Sequence, residues 1–454
     1  MSQIALIPNL NDGAGARANA TANRLDASDR VIHDWYRFVL SFPPHLVRAY
    51  LERFSLTPGQ TVLDPFCGTG TTVVEAKLHG ISGVGVEANA LAHFASSVKT
   101  DWTVDPDELL ECAQEIAKNA AQEITADPTD NLRTLGAEAE SLLLKDSISP
   151  LPLHKALVLL EAIVQAPARP CHRHLRLALA RTLVYDVSNL HFGPEVGVRR
   201  LKLEDAPVVD SWLAAVQRMA GDLRSVDRIT PPAVIHHADA RRLASLLQPR
   251  TIDAVFTSPP YPNEKDYTRA TRLESVVLGL IKNKGDLRAI KQGLLRSNSR
   301  NVYKHDDDDL WIAHNTEIQA LAAEIEQRRI ELGKTSGFEK MYARVTRHYF
   351  GGMARHLAEL RPFLKPGAYL GYVVGDQASF FQVLIPTGRL LADIAAELGY
   401  EVVGIDLFRT RLATATKRQM REEVVVLRWP EYPFSSSINI RCSSHEISRI
   451  RMIC

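Results

Sequence analysis

The stretch TVLDPFCGTGTTVVEAKLHGISGVGVEAN (61–89) has the grammar of strand, glycine loop, helix, glycine stop and strand. Val62 and Leu63 open a short buried strand, Gly68 and Gly70 permit a tight turn, Thr71 to His79 propagate a helix, Gly80 ends it, and Gly83 to Glu87 form the second strand. Such a unit is half of a doubly wound, mostly parallel α/β sheet. Its glycines let the backbone approach a ligand, and the new helix N-terminus offers unpaired N–H groups. The loop lacks the third glycine of GxGxxG and the lysine of a P-loop, which argues against dinucleotide and nucleoside-triphosphate ligands.

Working outward, the segment 33–60 reads as an aromatic entry, a Pro43-Pro44 break and an amphipathic helix with Leu46, Val47, Tyr50, Leu51 and Phe54 on one stripe. A third strand is expected in AVIHHADARRL (233–243) and a fourth in TIDAVFTSPPY (251–261). The sheet resumes with a helix from Phe350, a Lys365-Pro366-Gly367 turn and a strand ending at Gly375-Asp376, followed by a helix (389–398) and two further strands. A sheet core is thus expected over 31–103, 231–264 and 345–430. The residues between second and third strands, 104–230, exceed any ordinary connection and carry helical periodicity, so they form a helical insertion. A second, basic helical insertion spans 265–344. Residues 1–30 lack bulky apolar groups and suit a flexible leader, with order starting near His33, and 431–454 suit a tail.

The 454 residues, 45% hydrophobic and 24% charged, match ordinary globular composition and exclude fibrous, disordered and disulfide-scaffold classes. The net charge of +1 requires any nucleic-acid surface to be a local patch. Five separated cysteines without CxxC spacing disfavour disulfides and zinc, so no metal is expected and a reducing cytoplasm is the simplest setting. No apolar run reaches membrane-spanning length, and no signal peptide or membrane partner is expected.

In a doubly wound sheet, ligands bind beyond the carboxyl ends of the strands where strand order reverses. The DPFCGTGTT loop and the SPPY turn should meet there. Glu87, 23 residues after Asp64, sits where an acid can accept hydrogen bonds from ribose hydroxyls, each bond to a charged acceptor contributing roughly 1.5–3 kcal/mol. Asp64 can act at the ligand or cap the turn before Pro65. Asp239, ending the third strand, can accept from an adenine amino group or cap the turn before Arg241. After the fourth strand, consecutive prolines cannot continue a central strand and hold a rigid loop with outward carbonyls. Acceptors such as Ser258 Oγ and the Pro259 carbonyl, aimed at an exocyclic amine, would draw its nitrogen toward tetrahedral shape and free the lone pair for alkylation. Tyr261 offers a face for a flipped base, worth roughly 1–3 kcal/mol. No general base or covalent nucleophile is required.

VLDPFCGTGTTVVEA with GVGVEAN, followed by TSPPY, resembles the AdoMet-dependent amino-methyltransferase family of DNA, the N4-cytosine and N6-adenine enzymes. The resemblance implies a Rossmann-like class I methyltransferase fold and S-adenosyl-L-methionine as methyl donor. It places Asp64, Phe66, Gly68 and Gly70 around the methionine moiety, Glu87 at the ribose, Asp239 near the adenine ring, and Ser258, Pro259, Pro260 and Tyr261 around the target base. SPPY is similar to the cytosine-N4 subgroup, although in many of those enzymes it precedes the glycine loop. It implies a DNA substrate, with a restriction endonuclease or defence-system partner conceivable. Adenine N6, guanine N2 of RNA, protein glutamine and a non-catalytic DNA-binding component are the rival readings, in that order.

Between 265 and 304 ten basic residues face three acidic ones. Lys265, Arg269, Arg272, Lys282 and Lys284 lie nearest the expected base pocket and suit phosphate contacts. Cys171 lies in the helical insertion and is set aside as a nucleophile; His236-His237 read as structural. The acids Asp306 to Asp309 suit a helix N-terminus.

Overall fold

The computed structural model describes residues 25–38, 41–126, 131–167, 169–193, 195–227, 230–263, 265–412 and 419–431. The leader up to residue 24 and the tail from residue 432 lie outside the described residues. Order begins earlier than His33: Ala27–Arg30 form a 3-10 turn whose Asp29 is buried and paired with Arg48.

Among the described residues nine strands occur, β1 Thr61–Asp64, β2 Ser82–Glu87, β3 Leu190–Phe192, β4 Val196–Val198, β5 Ala233–His237, β6 Ile252–Thr257, β7 Leu364–Gly375, β8 Glu401–Leu412 and β9 Gln419–Arg428. Seven build one sheet in the order β5-β2-β1-β6-β7-β9-β8. The first five of these run parallel, and β9 is antiparallel to both β7 and β8. The chain moves outward from β1 to β2 and β5, then returns to lay β6 on the other flank of β1, with Leu63 opposite Val255. Strand order therefore reverses between β1 and β6, the doubly wound, Rossmann-like α/β arrangement that the sequence predicts.

The helices are α1 Pro44–Arg53, α2 Thr71–Leu78, α3 Ala90–Lys99, α4 Pro106–Ala126, the single-turn α5 Ala137–Glu140, α6 Pro150–Gln165, α7 His172–Tyr185, α8 Val208–Ser225, α9 Tyr267–Ala270, α10 Arg272–Val277, α11 Lys284–Gly293, α12 Thr316–Glu331, α13 Tyr342–Leu360 and α14 Thr387–Glu397. Strand side chains alternate between two apolar layers. Val62, Ala254, Phe256, Val373 and Val424 face Leu46, Val47, Tyr50 and Phe54 of the α1 region, the stripe read from the sequence. Leu63, Val255, Tyr372, Val374 and Val425 face α12, α13 and α14 on the opposite side.

The helices of 104–230 share a third core with α3, joining Leu91, Ala95 and Val98 to Leu109, Leu159, Leu179 and Trp212. This insertion therefore extends one flank of the sheet. It also contains the β3–β4 hairpin, whose three-residue strands are too short for helical periodicity to reveal. No described helix is long and apolar enough to cross a membrane.

Of the acids 306–309, Asp307 takes the N-cap position of a 3-10 helix, Asp308–Ile312, whose first turn holds Asp308 and Asp309, as the sequence predicts, but they do not cap the long helix that follows. Asn315 caps α12, its side chain accepting from Ile318 N at 3.0 Å. Asp306 instead pairs with Arg296, and Asp308 with Arg241 and Arg355. Charge complementarity in a buried seam outweighs the weaker attraction of a helix end. The seam lies against Gly351, where an added Cβ would stand 1.9 Å from the Asp308 carbonyl oxygen. Gly351→Ala is expected to destabilise the fold by at least 2 kcal/mol, on the order of overpacking costs, in urea unfolding. Gly404→Ala, whose Cβ meets nothing within 4 Å, is the control expected to leave the midpoint unchanged.

Candidate active site

One cavity of about 620 Å³ opens at the carboxyl ends of β1, β2, β5 and β6. Phe66, Gly68, Glu87, Asp239, Ser258, Pro259, Pro260, Tyr261 and Lys265 all line it, so the glycine loop and the double-proline loop enclose one hollow. Asp64 and Gly70 are not among the lining residues, and each acts from behind the wall.

Asp64 is fully buried. Its Oδ1 accepts from Thr257 Oγ1 at 2.5 Å and from Phe66 N at 3.2 Å, which ties the end of β1 to the end of β6. Its Oδ2 has no partner. Burial pushes its carboxyl up to about 6, against the hydrogen bonds that lower it. Gly70 adopts φ +88°, and an added Cβ would stand 3.0 Å from Ser96 Cβ. Its smallness lets α2 and α3 approach, while Gly68, at φ +52° with open space beside it, forms the face of the loop.

Glu87 closes the loop from the neighbouring strand. Its Oε2 accepts from Gly68 N and its Oε1 from Asn89 N, both at 2.7 Å. Burial still dominates and pushes the Glu87 carboxyl up to about 7. Asp239 lines the cavity with both oxygens engaged by Arg241, whose Nη2 reaches Oδ2 at 2.7 Å. Arg241 is buried, and its other side meets Asp308. The β5 end is thus fixed by a residue of the second insertion.

His356 braces the same wall. Its Nδ1 donates to the Ala240 carbonyl at 2.8 Å, so its Nε2 accepts from the Tyr372 hydroxyl at 2.8 Å. Burial drives its pKa down to about 4, and the neutral ring packs edge-on against Phe66 at 5.0 Å.

At the double-proline loop, Ser258 Oγ donates to the Val373 carbonyl at 3.1 Å. That bond uses the hydroxyl hydrogen and leaves its lone pairs as acceptors. Pro259 and Pro260 have no N–H, so this wall offers acceptors only. Arg409, Arg411 and Glu422 of β8 and β9, which sequence reading missed, also line the cavity, with Glu422 on the Tyr261 side. Arg411 donates to the Asp376 carbonyl at 3.0 Å, and Glu422 pairs with Arg409. Gly375 leaves room for this, since an added Cβ would meet both Tyr261 and Glu422 at 3.1 Å.

The basic run divides. Lys265 reaches the cavity, and Arg269 lines a small adjoining recess. Arg272 is held by the Thr268 and Leu142 carbonyls, Lys291 by Asp266 and Arg296 by Asp306, all internal contacts. Lys282 and Lys284 are exposed at the start of α11.

The residues fit AdoMet on the chemistry of the donor set. Glu87 lines the pocket with lone pairs that its two backbone donors leave free, which suits ribose hydroxyls, and Phe66 and Gly68 line it beside Glu87.

A family model described as a DNA methylase matches residues 18–94. The type II methyltransferase M.BsoBI of Geobacillus stearothermophilus is 27% identical over 87% of this chain and 84% of its own length. The type II methyltransferase M.AvaI of a Nostoc strain is 29% identical over 39% of this chain, which covers 38% of that relative. Among solved structures, TrmN from Thermus thermophilus matches 88% of this chain and 53% of its own, with TM-score 0.28 and 13% identity.

Two predictions follow from the wall geometry. The folded chain keeps a proton on Glu87 to about pH 7, whereas an unfolded glutamate loses it near 4.5. That contribution is present at acid pH and lost as pH rises through this window. The stability of the wild type minus that of Glu87→Gln should therefore fall by on the order of 2 kcal/mol between about pH 5 and 7.5 in urea unfolding, and a flat difference contradicts it. Asp308→Asn, although outside the cavity, is expected to loosen Arg241 and Asp239 and to weaken AdoMet binding several-fold by calorimetry. Asp307→Asn, on an exposed acid, should leave that affinity unchanged.

Proposed function

We propose that this chain, a member of the AdoMet-dependent amino-methyltransferase family of DNA, methylates N4 of cytosine. The carrying observation is the single hollow lined both by the glycine loop, Phe66 to Thr69, and by Ser258, Pro259, Pro260 and the aromatic Tyr261. When bound, AdoMet supplies an electrophilic methyl group on its sulfonium.

The chain's own residues do the rest. Glu87 accepts from ribose hydroxyls through lone pairs that its two backbone donors leave free. Phe66 and Gly68 shape the floor, and Asp239 holds the β5 side under the grip of Arg241. The target amine cannot reach the cavity within an intact stack, so the nucleotide is extruded and its ring lies on Tyr261. Ser258 Oγ and the Pro259 carbonyl accept the two amine hydrogens, which localises the nitrogen lone pair toward the methyl. Proximity and alignment supply most of the acceleration. After transfer the nitrogen gives up one hydrogen as a proton to water.

The SPPY form of the motif, similar to the cytosine-N4 subgroup, is what favours cytosine over adenine. Arg411 and Lys265 line the same cavity and are candidate donors to the two adjacent acceptors of cytosine, N3 and O2. Adenine offers one acceptor and a C–H along that edge. A role as the modification half of a restriction–modification pair accords with the type II relatives.

The test is incubation with labelled AdoMet and separate DNA and RNA pools, followed by nucleoside mass spectrometry. N4-methylcytosine in DNA is the expected product. N6-methyladenine would move the target to adenine, and label in RNA alone, or in neither pool, would overturn the proposal. Ser258→Ala should keep AdoMet affinity while turnover drops roughly 100-fold or more, the scale of losing one oriented partner of the reacting group. Gly70→Asp, forced against Ser96, should lose both.

A further inference from the structure

The helical insertion sends one element to the cavity mouth. The turn of the β3–β4 hairpin brings Glu195 into the cavity lining, and the hairpin flanks the recess that holds Lys265 and Arg269. Immediately after β4 comes the segment Arg199-Arg200-Leu201-Lys202. Leu201 is 87% exposed, the most exposed large hydrophobic among the described residues. A lone exposed leucine needs no explanation. This one stands between exposed arginines and a lysine, on a loop that is held at both ends.

The holder is Asn189, a buried residue at the base of the hairpin. Its carbonyl accepts from Arg199 N at 2.8 Å, and its Oδ1 accepts from Leu203 N at 2.8 Å. Its Nδ2 donates to the Asp146 carbonyl at 3.0 Å and to Ser149 Oγ at 3.1 Å. Lys202 Nζ donates back to the Arg199 carbonyl at 2.6 Å. The loop is thus braced while Arg200 and Leu201 stand out from it. Arg199 and Arg200 have no carboxylate partner among the described residues, and Asp205 beyond the clamp is taken by Lys155.

We infer that residues 199–202 form a duplex-DNA contact, in which Arg199 and Arg200 bind backbone phosphates and Leu201 inserts as an apolar wedge into a base step of the duplex flanking the extruded nucleotide. Unpaired arginines on a rigid tip match phosphate chemistry, and an apolar side chain between cations is the composition of side chains that part base steps. Strand rise places Arg199 roughly 13 Å from Glu195, within about four base-pair steps of the mouth. A wedge there would kink the flanking duplex and lower the cost of extruding the target base. The inference rests on the DNA reading and adds a second contact surface to it, carried by the helical insertion rather than the basic one.

The experiment compares the full chain with Arg199→Gln/Arg200→Gln and with Leu201→Ala. The double variant should bind mixed-sequence duplex DNA more weakly, with the slope of log affinity against log salt reduced in magnitude by roughly 2, and with unchanged AdoMet affinity. Leu201→Ala should keep the wild-type slope but lose turnover several-fold on native DNA, so that its ratio of turnover on heat-denatured to native DNA rises. An unchanged slope in the double variant, equal losses on denatured and native DNA for Leu201→Ala, or tighter binding of duplex RNA than duplex DNA overturns the inference. Failure of the DNA reading itself would show separately, as wild type that labels no DNA.

Discussion

A hydrogen bond between two buried side chains, Thr257 Oγ1 and Asp64 Oδ1, 2.5 Å apart, holds the site together. The parallel pairing of β1 with β6 brings their ends side by side, but pairing stops at the strands and leaves two loops free to splay. Asp64 prevents this by accepting from Thr257 on one side and from Phe66 N on the other. Pro65 contributes no N–H, so Phe66 carries the first available donor of the glycine loop, and it is already engaged. One carboxylate thereby fixes the separation of the glycine loop from the double-proline loop. A separation held to fractions of an ångström is what an in-line transfer between two bound molecules requires.

The acids around the hollow differ in what satisfies them. Asp239 is neutralised within the protein by Arg241, so its geometry is permanent. Glu87 has two backbone donors and no cation in contact, and burial outweighs them. Asp64 is in the same condition with one oxygen unpartnered. Of the two, Glu87 lines the cavity, and burial that penalises its ionised form favours a ligand that brings hydroxyl hydrogens to it. The same logic explains the neutral His356, which braces Phe66 and Ala240 without adding a repelling cation.

Most of the sheet was legible because glycine loops and apolar strand runs are local signals. TVLD, SGVGVE and IDAVFT occupy the strands their patterns predict, and SPPY lies in the same hollow as the glycine loop. What escaped reading depended on distance in sequence. Arg409, Arg411 and Glu422 enter the cavity because β9 runs antiparallel beside β7, and no local pattern marks an arginine two strands away as a wall residue. The acids 306–309 do start a helix, a 3-10 one, but their partners Arg241, Arg296 and Arg355 lie well away along the chain or across an irregular loop and could not be read from the sequence. The basic run misled by counting: Arg272, Lys291 and Arg296 are internal struts, which composition alone cannot distinguish from free cations.

Motif order deserves a physical reading as well. Here the glycine loop precedes the double-proline loop along the chain, and the sheet shows why that order is chemically neutral. β1 and β6 are adjacent whichever is made first, since their pairing depends on register and side-chain burial, not on the route of the connection. The long path between them, filled by 104–230, passes outside the hollow and touches it through the hairpin turn. A chain that made the same two strands in the opposite order would bring the same backbone to the same place. Target choice must therefore be sought in the cavity lining around Ser258, which includes Lys265, Arg411 and Glu422.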